Sequence, residues 1–172
     1  MLVPFPLRYR TSLSRAYGSR AHIEVPPCPV LYGGSSQALD GDPPSWSPEY
    51  MLLSSLGLSL LTTFEAFAAR DGIEILAWEA TVGGTVDRTP DGLMFTSIVV
   101  ELDVALAGDA ARVEAALEDA RQSCLVLNSL RVPVVIEIEL RMRDEQDRLL
   151  PGPPAPRIRP LPAREPAHDA IG

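Results

Sequence analysis

A chain of 172 residues with 46% apolar side chains has enough material for one soluble domain around a single core. Its 23 carboxylates outnumber its 15 cations, all of them arginine, for a net charge of −8, and the acidic excess lies within residues 22–142. A surface of that sign is a poor partner for nucleic acid, and the missing lysine alongside abundant Ala, Arg and Pro reads as codon composition.

Cys28 and Cys124 are too few for a secreted disulfide framework, and the amino terminus lacks the cationic and apolar regions of an export signal. A cytoplasmic location is the expectation. The longest apolar run, residues 51–61, is broken by serines and a glycine and falls short of the roughly 20 residues a spanning helix needs, so no membrane segment is expected.

Residues 7–16 and 21–25 have the composition of short strands, and Tyr17-Gly18-Ser19 between them suits a hairpin turn. Residues 26–44 are rich in Pro, Gly, Ser and Asp and read as loop, with room for a short strand at residues 29–32. Ser47 is then a good N-cap, Pro48 fits the first helical position, and Glu49 complements the positive end of the helix dipole. The helix should run to about Arg70, where Asp71-Gly72 supplies a left-handed stop. Its leucines, Met51, Phe64 and Phe67 fall around the whole circumference, so it must be covered on nearly all sides. One small sheet cannot do that, and a second copy of the chain is the simplest cover. Ser55, Ser59 and Thr62 form a stripe of small hydroxyls along it, for which close backbone packing is the simpler reading at Ser55 and Thr62.

Residues 73–82 and 93–106 are strands joined by a hairpin whose turn is Thr89-Pro90-Asp91-Gly92, with one face of alternating polar residues left wet. Asp109 caps an amphipathic helix with Val113, Ala116, Leu117, Ala120 and Cys124 on one side. A short helical turn at residues 126–130 and a strand at residues 132–142 follow. Seven prolines in the last 22 residues mark a different composition, so residues 1–146 form the expected domain and residues 147–172 a Pro-rich, non-globular tail.

Ser47-Pro48-Glu49 before the apolar helix, Gly72-Ile73 at its end, Gly92-Leu93-Met94-Phe95-Thr96 and Ser123-Cys124 through Leu130 resemble the OsmC/Ohr family of thiol-dependent hydroperoxide reductases, over residues 8–142. The resemblance implies an α+β fold, with a long buried central helix and a second helix packed on antiparallel sheets. It also implies an intertwined homodimer with active sites at the interface, where a small apolar hydroperoxide or related ligand would bind. The family's peroxide-attacking cysteine stands eleven residues after the proline, and that position here is Ser59. Its second, resolving cysteine maps onto Cys124 and its glutamate onto Glu49. The arginine that pairs with the glutamate has no counterpart between Arg20 and Arg70, unless Arg8, Arg10 or Arg15 reaches in.

Peroxide reduction needs a polarisable thiolate that can pass through a sulfenic acid; a serine hydroxyl stays protonated near neutral pH and has no such redox ladder. The chain therefore resembles a thiol peroxidase that lacks its first catalytic cysteine. Three readings stay open: altered thiol chemistry at Cys124, with or without Cys28; a silent homologue that binds a small apolar or oxidised molecule; and a dimeric scaffold. No cofactor is expected. His22 and His168 are isolated, Gly33-Gly34-Ser35-Ser36 lacks the context of a phosphate loop, and neither histidine is placed to make Ser59 a hydrolase nucleophile.

Overall fold

The computed structural model describes residues 5–16, 20–39, 41, 45–143 and 148–152. The chain divides into two compact units, Met1–Leu52 and Leu53–Gly172, each with its own sheet, where composition alone suggests one domain.

In the first unit, β1 (Ser12–Arg15) and β2 (Ala21–Glu24) form the expected hairpin, with Leu13 opposite Ile23. Its turn, Tyr17-Gly18-Ser19, lies outside the described residues. A third antiparallel strand, β3 (Leu31–Gly33), follows the proline-rich stretch two residues later than the sequence suggests. Gly33 sets its end. A side chain there would press on Met51, Ile23 and the carbonyl of Trp46, all at 3.1–3.2 Å. Leu13, Tyr32 and Trp46 of this unit remain exposed in the single chain.

Helix α1 (Pro48–Asp71) begins in the first unit and continues into the second. Its start is as the sequence requires: Ser47 Oγ accepts from the Tyr50 amide at 3.3 Å, and the proline fills the first helical position without leaving a donor unpaired. Its end is a Schellman closure, in which Gly72 at φ 68° turns the chain left-handed and Ile73 N–H donates to the Ala68 carbonyl at 2.9 Å. Leu56, Leu60, Phe64 and Ala68, spaced four apart, form its buried stripe. Phe64 stacks on Trp78 at 5.3 Å, and Gly57 brings the helix close to Val82. The rest of the circumference is open in the single chain, with Leu58 61% exposed. By length and composition α1 would pass as a membrane span. The count over residues 51–61 misses this because the helix runs on without a break to Asp71; Leu56, Leu60, Phe64 and Ala68 are among its buried residues within the second unit.

Strands β4 (Glu74–Thr89) and β5 (Gly92–Ala107) are each 16 residues long. At their two-residue connection Thr89 Oγ1 accepts from Asp91 N–H and donates to the Gly92 carbonyl. Ile98, Val100, Leu102, Val104 and Leu106 face the core. Glu79, Glu101, Glu137 and Glu139 point to the wet side, beside Asp103, whose carboxylate binds Arg141.

Helix α2 (Ala110–Ser123) is capped by Asp109, which accepts from Arg112 N–H at 3.0 Å, and buries Val113, Ala116 and Ala120. The short α3 (Leu125–Ser129) follows after one residue. The next strand, β6 (Val134–Arg143), pairs with β5 in parallel over Ile98–Val134 to Leu106–Met142, which corrects the expectation of purely antiparallel sheets. The intervening helices carry the chain back along the sheet, and adjacent strands joined by such a crossover run the same way. A last strand, β7 (Leu149–Pro151), pairs antiparallel with β6, so the sheet reaches into the stretch that composition assigns to the tail. Leu149 and Leu150 are what that stretch offers a sheet edge. The remaining tail, residues 153–172, lies outside the described residues.

Candidate functional site

Ser59 is carried by the middle of α1, one residue before Leu60 of the buried stripe. Cys124 is the single residue between α2 and α3, ending one helix and starting the next with extended backbone at φ −66°, ψ 111°. The Asn128 amide donates to its carbonyl at 3.0 Å, which fixes the turn. These placements bring the two side chains together: Cys124 Sγ–H donates to Ser59 Oγ at 3.2 Å. The thiol is fully buried. The Ser59 carbonyl in turn accepts from Thr63 Oγ1 at 2.6 Å, and Thr62 Oγ1 of the hydroxyl stripe donates one turn back to the Leu58 carbonyl at 3.0 Å. Leu58 and Leu125, each next in sequence to one member of the pair, are 61% and 64% exposed.

No basic side chain among the described residues hydrogen-bonds either Ser59 or Cys124. Arg121, three residues before the thiol, is committed to Glu118 through two hydrogen bonds of 2.8 and 2.6 Å. The guanidinium holds the Glu118 carboxyl down at about 2, and the same bond raises Arg121. Its charge is thereby neutralised on its own helix. Arg70 is engaged at the end of α1 with Asp71 and Asp119.

Glu49 belongs to the first unit. Its Oε2 is enclosed and has no hydrogen-bond partner among the described residues. Arg8, Arg10 and Arg15, the arginines that could have reached it from the hairpin, are exposed. Cys28 is also exposed, in a turn where its amide donates to the Val25 carbonyl, and both thiols are free. The resemblance puts Ser59 and Cys124 in one site, and the two side chains are in contact; whether they act on a substrate is a separate matter. Sequence reasoning misses Thr63 and the contact between Arg70 and Asp119, for which the only signal is an arginine in the last turn of a helix.

The sequence profile of the family described as OsmC-like protein matches residues 40–139, more than half of the chain. No curated protein matches significantly. Among solved structures, an OsmC-like protein of unknown function from Vibrio cholerae superposes with a TM-score of 0.70 at 16% identity, covering 77% of this chain and 99% of its own. An OsmC-like protein from Mycoplasma pneumoniae gives 0.69 at 15%, over 79% and 99%. An organic hydroperoxide resistance protein from Elizabethkingia anophelis, with thiocyanate bound, gives 0.59 at 14%, over 79% and 98%. The profile match over more than half of the chain shows the family, the superpositions agree with it in fold, and the chain belongs to the OsmC-like protein family.

Proposed function

We propose that this protein is an OsmC-type homodimer that has given up the two-thiol hydroperoxide cycle and keeps its interface pocket as a binding site for a small apolar or oxidised molecule. The observation that carries this reading is the 3.2 Å contact between Ser59 Oγ and the buried Cys124 Sγ. In a two-thiol cycle the first sulfur attacks the hydroperoxide, the O–O bond breaks and an alcohol leaves. The second thiol then displaces water from the resulting sulfenic acid to form a disulfide, which a dithiol reduces. Ser59 cannot take the first step, because a hydroxyl is a poor nucleophile toward O–O and cannot be oxidised in this way. Cys124 is buried against the same hydroxyl, and among the described residues no guanidinium hydrogen-bonds it to favour the thiolate. Leu58 and Leu125, adjacent to the pair in sequence, are exposed apolar side chains.

Dimerisation is supported by the open sides of α1, the exposed Leu13, Tyr32 and Trp46 of the first unit, and the enclosed Glu49 oxygen that lacks a donor. Two free thiols fit a reducing compartment such as the cytoplasm.

The test is peroxide loss from cumene or tert-butyl hydroperoxide with a dithiol reductant. The parent protein is expected to show no turnover above the reductant alone. Ser59→Cys is expected to gain turnover that disappears when Cys124→Ser is added. Turnover by the parent that is abolished in Cys124→Ser overturns the reading.

A further inference from the structure

Taking Ser59 and Cys124 as the site proposed above, we propose that Arg70 is a positioning residue: by pinning α2 to the end of α1 through Asp119, it sets how closely Cys124 meets Ser59. Among the polar contacts that join α1 to the α2 segment are Arg70 Nη2 to Asp119 at 3.1 Å and Cys124 Sγ to Ser59 Oγ at 3.2 Å. Arg70 lies eleven residues along α1 from Ser59, about 16 Å at the helical rise, so it acts on the pair only through α2.

The buried face of α2 explains why a pin is needed. Of its buried residues Val113, Ala116 and Ala120, two are alanines, and small side chains interlock weakly, leaving the helix little resistance to sliding along its axis. A displacement under 1 Å would carry the thiol out of hydrogen-bond range. Arg70 is built to resist it. Its guanidinium is held to Asp71 by hydrogen bonds of 2.7 and 2.6 Å and lies over the Phe67 ring at 4.8 Å, all on α1. The group is ordered before it meets Asp119, and the interhelical bond loses less freedom in forming than one from a loose side chain.

Two readouts test this. In the Ser59→Cys background, the effective concentration of the thiol introduced at 59 toward Cys124 is measured by equilibration with glutathione. Adding Arg70→Met is expected to lower it about threefold. Asp119→Asn should do the same, and the two together no more than either alone. Asp103→Asn, which removes a comparable ion pair with Arg141 on the sheet, should leave it unchanged. In the parent protein, which needs no new disulfide, Arg70→Met should speed Cys124 labelling by a thiol reagent about threefold under native conditions, with Cys28 labelling unaltered. An unchanged effective concentration or labelling rate in Arg70→Met, or an equal fall in Asp103→Asn, overturns the assignment. Peroxide turnover by the parent would sink the functional reading while leaving the labelling result valid.

Discussion

On the function proposed above, the hydroxyl of Ser59 decides what Cys124 can do. Beside a second thiol it would be poised to close a disulfide; beside Ser59 it is a buried donor with a satisfied partner. The charge that could have activated it is spent nearby, in the bond between Arg121 and Glu118. That bond has a measurable signature. Glu118 ionises at about 2 in the folded chain against an ordinary 4.5, so its contribution to stability is complete above about pH 4.5 and is lost as pH falls toward 2. Urea midpoints of the parent and Glu118→Gln should therefore converge across that window, and a constant gap between them would count against the pairing. The Glu118 side chain is 40% exposed, so solvent screening should keep the gap small.

Among the elements, α1 was the most legible, because its ends are written in local chemistry: Ser47-Pro48 at one side and Asp71-Gly72 at the other produce the cap and the left-handed closure without help from the rest of the chain. The Thr89-Pro90-Asp91-Gly92 turn and the Asp109 cap were legible for the same reason. The register that brings Ser59 to Cys124 came from family resemblance, since nothing local relates two residues 65 positions apart. The parallel pairing of β5 with β6, the attachment of β7 and the Arg70–Asp119 contact depend on which segments meet in space, and a hydrophobic alternation looks the same in either strand direction. What α1 buries is a matter of packing. Phe64, fully enclosed and stacked on Trp78, should make Phe64→Ala less stable by about 3–5 kcal/mol in chemical denaturation. A loss below about 1 kcal/mol would mean that the stripe is not the core contact of the helix.

At the scale of the whole molecule, the two units leave different surfaces exposed. The wet face of the second sheet carries like charges directly across from one another, Glu101 opposite Glu137 and Asp103 opposite both Glu79 and Glu139. Such neighbours repel, and at Asp103 the Arg141 guanidinium offsets the repulsion. That face has the sign to remain in solvent, whereas α1 and the first unit expose apolar side chains that call for a cover.

The β4–β5 hairpin adds a consequence. Strand β6 joins β5 from Ile98 onward, so residues 85–97 extend beyond that pairing as a two-stranded ribbon bearing Val86, Leu93 and Met94 in the open. Such ribbons hold poorly in water unless something lies against them. Amide hydrogens along this arm are thus a built-in gauge of assembly: on serial dilution their deuterium uptake should rise well before that of residues 98–106, whereas uptake that ignores protein concentration would mean the arm stands without a companion.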